Sequence, residues 1–138
     1  MSDASDRPAR MTHVAIRCRD LQASIDFYAR YAGFRVVHDR EDAGIRVAWI
    51  AERADKPRFV LVLMEMPHEG LREPAPTDHF GFDVASRERV DRIAEMGRED
   101  GILKLGPRDL GPIVGYITMV RDPSGNTCEF SFGQSIEP

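Results

Sequence analysis

The sequence is poor in cysteine, in tryptophan and in long apolar runs. Its 138 residues include 2 cysteines and 1 tryptophan. Two cysteines do not provide the disulfide framework of a small secreted protein, so a reducing cytoplasm is the simplest setting. The longest purely apolar run spans residues 59–64, whereas a membrane-spanning helix needs about 20 residues. We therefore expect neither a disulfide-stabilised scaffold nor a membrane partner.

A leader peptide and a basic cluster are also missing from the sequence. Residues 1–10 are polar and contain no apolar stretch, so we interpret them as a disordered tail rather than a signal peptide. The net charge is -4, and the basic residues are interspersed with acidic ones. Because nucleic-acid backbones are bound by clustered Lys and Arg, a nucleic-acid partner is not expected.

The composition that remains is typical of a soluble globular protein. Hydrophobic residues make up 42% of the chain and charged residues 30%, which is enough to build a core. The length predicts one compact domain, which could be built from two halves.

The two halves have the same predicted order: a strand, a helix and three further strands. In the first half, residues 12–18 alternate between apolar and polar, Asp20 is a candidate N-cap and Gly33 a candidate helix end. In the second half, residues 78–84 alternate and Ser86 is the candidate N-cap. The remaining predicted strands cover residues 34–38, 46–50, 59–66, 102–105, 116–120 and 126–132, with a Gly/Pro-rich loop over 106–115.

The domain organisation follows from this repeat. Residues 11–66 form the first predicted module and residues 77–133 the second. Between them, residues 67–76 have the Pro- and Gly-containing composition of a linker, and residues 134–138 are a C-terminal tail.

Polar residues repeat along with the predicted strands. His13 opens the first module and Glu65 lies in its last strand; His79 and Glu129 hold matching places in the second. If the modules pack about a pseudo-twofold axis, these four side chains converge. Imidazole and carboxylate suit a divalent ion such as Zn, Ni, Co, Mn or Fe. The repeat therefore predicts one metal site assembled from two halves, since the ion would also offset the repulsion between two nearby carboxylates.

Strand alternation tests the direction of each side chain. Small residues share a face with each histidine, Ala15 with His13 and Gly81 with His79, which leaves space for an ion. Glu129 lies on the polar face of a strand whose other face is apolar. These three residues therefore have the pattern expected of ligands.

Glu65 has a less regular environment. It shares a face with Leu61 and Leu63 inside a continuous apolar run, and such a run does not fix the direction of its side chains. A glutamate near a strand end is also often solvated, so both readings stay open.

The other histidines and the cysteines have no repeated partners of this kind. We interpret His38 and His68 as surface residues. Cys18 and Cys128 fall on apolar strand faces, which favours burial in the core over catalysis.

Three segments resemble a known family. "THVAIRCRDLQASIDFYARYAGFRVV", "DHFGFDV" and "VRDPSGNTCEFSF" are similar to motifs of the vicinal oxygen chelate superfamily. The superfamily includes glyoxalase I, extradiol dioxygenases, fosfomycin-modifying enzymes, methylmalonyl-CoA epimerase and bleomycin-resistance proteins. The resemblance covers residues 11–133, and the last segment resembles the turn that precedes the family's metal-binding glutamate.

The resemblance implies an α+β fold in which two βαβββ modules form a cup-shaped, partly open mixed sheet with helices outside. It implies that His13, His79 and Glu129 bind a divalent metal, and that Glu65 is a fourth ligand if the glyoxalase I set applies. Glu129 and Glu65 would then also be the catalytic carboxylates. In this family the modules often exchange across a homodimer.

The resemblance leaves three functions open. The favoured one is a glyoxalase-like lyase or isomerase acting on a small molecule with two adjacent oxygens. An extradiol-type dioxygenase is the second, with Tyr116 as the candidate acid or base. The third is a metal-independent drug-binding resistance protein, in which Trp49, Phe59 and Tyr116 stack on the ligand.

Overall fold

The computed structural model describes residues 8–53, 55–66 and 77–136. Within these ranges the order of elements confirms the two βαβββ modules and the α+β class. The first module contains β1 (His13–Cys18), α1 (Leu21–Ala32), β2 (Arg35–Asp42), β3 (Ile45–Ala51) and β4 (Val60–Glu65). The second contains β5 (Phe80–Asp83), α2 (Arg87–Glu99), β6 (Leu103–Asp109), α3 (Gly111–Val114), β7 (Tyr116–Arg121) and β8 (Thr127–Phe132). The predicted surface residue His68 lies outside the described ranges.

Each module forms one mixed four-stranded sheet. The first sheet has the order β1-β4-β3-β2 and the second β5-β8-β7-β6. In both sheets the first and last strands of the module pair in parallel, and the other pairs are antiparallel. The strands that begin at or just after the two repeated histidines are therefore edge strands with equivalent neighbours.

The helix ends are those expected from the sequence. The Asp20 side chain accepts a hydrogen bond from the Ala23 amide at 3.0 Å, and Ser86 accepts one from the Arg89 amide at 3.1 Å. Gly33 ends α1 in the left-handed conformation, with φ 71°. In the part of the chain that the structure covers, every helix is too short or too polar to span a bilayer.

The loop predicted for residues 106–115 is wrong. Strand β6 continues through Gly106 and Pro107 to Asp109, and a short helix, α3, replaces the rest of the loop. An edge strand tolerates proline because no neighbour requires the missing N–H group on its free side. The register also shifts between Leu105 and Arg108, which accommodates the irregular sequence.

One core joins the two modules. Helix α1 contacts β2, β3 and β4 of its own sheet, and its fully buried Tyr28 and Tyr31 also reach the second sheet. The ring of Tyr28 lies 6.1 Å from that of Phe82, and Tyr31 lies 6.5 Å from Phe130. Helix α1 therefore packs on its own sheet and touches the inner face of the second sheet, on which α2 packs.

A buried hydrogen bond fixes this arrangement. The Tyr28 hydroxyl donates to Asp122 at 2.7 Å, and Asp122 is only 4% exposed. The same carboxylate accepts hydrogen bonds from the amides of Ser124 and Asn126 and from the Asn126 side chain. Burial raises the pKa of Tyr28 well above its usual value, so the hydroxyl stays a donor. The bond therefore ties α1 to the turn that precedes β8.

We expect Tyr28→Phe to lower the free energy of unfolding by about 1–3 kcal/mol, because it leaves a buried carboxylate one donor short. Urea denaturation followed by circular dichroism measures the change. Tyr116→Phe is the matched control, since its hydroxyl also donates to an aspartate, Asp91, but at the surface. A control effect within about 0.5 kcal/mol is expected; equal losses in the two variants would contradict the role of Tyr28.

Candidate metal centre

Strand alternation, continued from β5 to His79 directly before it, assigns His79 and Glu129 to the same face of the second sheet. Glu129 pairs with Gly81, two residues after His79, and alternate residues of a strand point to the same side. Glu129 is 5% exposed and accepts a hydrogen bond from Gln134 at 3.3 Å. A Cβ added to Gly81 would lie 3.7 Å from the Glu129 Oε2 atom. The glycine therefore leaves the space beside this buried carboxylate open.

Both repeated histidines are held through Nδ1. The His79 Nδ1 atom lies 2.8 Å from the Thr77 carbonyl oxygen, and a carbonyl oxygen only accepts, so Nδ1 carries the proton. The His13 Nδ1 atom lies 2.9 Å from the Thr12 hydroxyl. In neutral His79 the Nε2 lone pair is then available, as in metal-binding histidines whose other nitrogen is hydrogen-bonded. This donor chemistry fits a divalent metal ion.

The first module offers a different partner for its histidine. His13 begins β1, and Ala15, two residues later, pairs with Val62. Val62 therefore holds the place that Glu129 holds in the second module. By this register the first module supplies one candidate ligand and the second supplies two.

Glu65 lies at the other end of β4. His13 pairs with Val60, whereas Glu65 pairs with Cys18. The Glu65 Oε2 atom accepts a hydrogen bond from the Leu21 amide at 2.7 Å, at the start of α1. Its Oε1 atom lies 4.0 Å from the Arg46 guanidinium. Glu65 therefore stabilises the positive end of α1, and the structure does not bring it to His13.

Tyr116 is also separated from Glu129. It pairs with Phe132 in β8, three residues from Glu129 and hence on the opposite face. Its hydroxyl donates to Asp91 of α2, and the Arg87 guanidinium lies 4.2 Å from its ring centre. The hydrogen bond to Asp91 is the main cause that raises the Tyr116 pKa. The structure therefore gives Tyr116 a contact with α2 and not with the candidate ligands.

The two cysteines are buried in the shared core, which confirms the prediction. Cys18 is 1% exposed and Cys128 is fully buried. Burial raises the pKa of Cys18 to about 11 and that of Cys128 to about 12. Both thiols are therefore protonated at neutral pH, whereas a nucleophile or metal ligand is a thiolate.

The candidate ligands of the two modules face apart within one chain. We call the side of each sheet turned away from α1 its outer face. Since the inner faces of both sheets contribute to one shared core, the outer faces that carry His13 and Glu129 are both turned away from that core, on separate sheets. Accordingly, the described residues of a single chain contain no group of three His, Cys, Asp or Glu side chains that could hold a metal.

A cavity of about 600 Å³ opens on the outer face of the first sheet, beside His13. Trp49 and Phe59, expected as stacking residues, both line it. Arg40 and Arg58 line it as well, and sequence reasoning missed them. Arg40 reaches the cavity because β2 pairs with β3, and Arg58 because the chain passes the cavity before β4. Strand alternation in the sequence reveals neither of these arrangements.

Sequence comparison identifies relatives over most of the chain. The family model described as "Glyoxalase/Bleomycin resistance protein/Dioxygenase superfamily" matches residues 10–130. A Pseudomonas aeruginosa protein named "Uncharacterized protein PA2024" is 42% identical over 130 residues, covering 93% of this chain and 91% of its own length.

Solved structures share the fold. A possible glyoxalase from Bacillus cereus is 26% identical, with TM-score 0.68, covering 90% of this chain and 99% of its own. Leishmania major glyoxalase I is 20% identical, with TM-score 0.71 and coverages of 91% and 88%. A mutant of the fosfomycin resistance protein FosX from Listeria monocytogenes, complexed with Mn(II) and 1S,2S-dihydroxypropylphosphonic acid, is 18% identical, with TM-score 0.73 and coverages of 95% and 97%.

The contacts of Glu65 predict a stability role. We expect Glu65→Ala to lower the free energy of unfolding by about 0.5–2 kcal/mol, because the α1 terminus loses a capping carboxylate. Chemical denaturation measures the loss, and Glu52→Ala, at an exposed position after β3, is the control. A large fall in affinity for divalent metal with unchanged stability would instead make Glu65 a ligand.

Proposed function

Because the chain belongs to the Glyoxalase/Bleomycin resistance protein/Dioxygenase superfamily, we propose that it is a metal-dependent enzyme acting on a small substrate with two adjacent oxygen atoms. The observation that carries the proposal is the pair formed by His79 and Glu129. Glu129 pairs with Gly81, His79 comes two residues before Gly81, and the His79 Nδ1 atom is held to a backbone carbonyl. The FosX relative, described with Mn(II) and a dihydroxy phosphonate, adds support at the level of the fold.

The proposed ligand set is His13, His79 and Glu129. Two imidazoles and one carboxylate suit Mn, Fe, Co, Ni or Zn and leave open positions for two substrate oxygens. The position of Glu65 at the start of α1 favours this three-ligand set over the four ligands of glyoxalase I. The same set is typical of Fe(II) oxygenases, so ring-cleaving oxygenation is the second candidate, and oxygen uptake with catechols after anaerobic Fe(II) loading distinguishes it.

We propose that each centre is shared between two chains of a homodimer. In one chain the outer faces carrying His13 and Glu129 are turned away from the core that both sheets share. A second copy can bring its first sheet over the second sheet of its neighbour. His79 and Glu129 would then meet His13 of the partner subunit, and two equivalent centres would form.

The residues of the chain would divide the work at such a centre. A bound ion would supply Lewis acidity that polarises the substrate oxygens. Gln134 orients Glu129 by donating to its Oε2 atom, and the Thr77 carbonyl orients His79. Val62 and Met64, which line the cavity beside His13, would exclude water from the substrate. Glu129 would hold the ion and, as the catalytic group, would accept a substrate proton.

Metal analysis tests the ligand set. Protein purified without a histidine tag, stripped with a chelator and titrated with Mn(II), should bind about one ion per chain. His79→Ala and Glu129→Gln should each weaken binding at least tenfold, by about 1.4 kcal/mol or more, because each removes a donor. Glu65→Gln is the matched carboxylate control and should bind as the wild type does. Wild-type protein without stoichiometric metal would refute the proposal.

Mixed dimers test the sharing of the centre. His13→Ala alone and His79→Ala alone should each lose tight metal binding. A heterodimer of the two variants has one centre lacking both histidines and one with all three ligands intact, so about half of the wild-type binding should return. Isothermal titration of the co-purified pair measures it. No recovery in a confirmed heterodimer would place all ligands within one chain.

A further inference from the structure

We propose that the cavity on the outer face of the first sheet binds a small organic monoanion with a flat apolar group, such as an aryl carboxylate. The cavity measures about 600 Å³, within the range of about 300–1,000 Å³ typical of small-molecule sites. All of its lining residues belong to the first module or to the segment just before it. One chain therefore forms this cavity without a contribution from the second module.

The floor of the cavity is apolar and ordered. Val62 pairs with Trp49 across β4 and β3. The Trp49 ring is held by the His38 ring, at 4.8 Å between centroids, and by the Arg40 guanidinium, at 5.3 Å. Phe59 lines the same cavity and is 44% exposed, although phenylalanine is usually buried. Aromatic walls of this kind suit a flat apolar group.

The rim of the cavity is positively charged. Among the described residues that line it, Arg10, Arg40, Arg58 and His13 are basic and none is acidic. This is the reverse of the whole chain, whose net charge is -4. Clustered charge of one sign on low-dielectric walls attracts ligands of the opposite sign. The cavity is therefore complementary to an anion.

The three arginines that line the cavity differ in whether an acidic side chain already neutralises their charge. Arg40 forms an ion pair with Asp42 at 2.8 Å. Arg10 and Arg58 have no ion-pair partner among the residues that the structure describes. A guanidinium binds a carboxylate through two parallel hydrogen bonds. Either arginine could thus bind the single carboxylate of a ligand whose flat apolar part lies on the floor, whereas a polyanion would bring further charge against the floor.

This inference deepens the proposed function and rests on it for the ligand's role as substrate. His13, a proposed metal ligand, lines the same cavity. A bound carboxylate near Arg58 would direct the rest of the molecule towards His13 and hence towards the ion. Binding itself requires only the cavity, so it can be tested on metal-free protein.

Trp49 supplies the measurement, because it is the only tryptophan of the chain. We expect 3-phenylpropionate to change its fluorescence saturably in chelator-treated protein. The neutral 3-phenylpropanamide lacks the carboxylate, and acetate lacks the aromatic ring. Each should therefore bind at least about tenfold more weakly than 3-phenylpropionate. Arg58→Gln should weaken 3-phenylpropionate binding at least about fivefold and leave the amide unchanged.

The control is Arg92→Gln, at an exposed position on α2, which should bind as the wild type does. Arg40→Gln is the second variant, and circular dichroism verifies the fold of each. Equal affinity for acid and amide, or no effect of either cavity arginine, would overturn the inference. Normal metal binding without anion binding would refute only this inference, whereas anion binding by a wild-type protein that fails to bind added Mn(II) would refute only the metal centre.

Discussion

The buried hydrogen bond from Tyr28 to Asp122 is the interaction on which the arrangement of the modules depends. It joins the middle of α1 to the turn before β8, 94 residues away in sequence. With Tyr31 against Phe130, it holds α1 to the second sheet. Because both inner faces belong to one shared core, the ligand-bearing faces are turned outwards. A contact remote from the proposed chemistry therefore sets which surfaces a second chain can meet.

The two modules share a topology but differ in chemistry. The second module has Glu129 between Gly81 of β5 and Met119 of β7, on the strand face that also carries Thr127 and Ser131. In the first module the equivalent place belongs to Val62, and the surrounding residues form an apolar cavity with a basic rim. In our proposals, one module mainly holds the ion and the other mainly holds the organic part of the substrate.

Most of the fold could be predicted from the sequence because its signals are local. Alternation gave the strands, and Asp20, Ser86 and Gly33 gave the helix ends, since each acts within one turn of chain. The loop prediction for residues 106–115 failed because the tolerance of an edge strand for proline is visible only once strand order is known.

The candidate site, like the fold, was predicted where the signal is local and not where it depends on how the strands pair. Alternation predicted that His79 and Glu129 share a face, which the strand register supports. Counting residues from His13 selected Glu65, but spacing along the chain does not fix strand register. The informative signal was the face that Glu65 shares with buried Leu61 and Leu63. The place of Val62 beside His13 has an evolutionary consequence: in the proposed centre a point mutation, Val62→Glu, would create a fourth ligand and at once charge the hydrophobic floor. Descendants of this chain could thus gain either coordination number or affinity for an apolar anion, but not both.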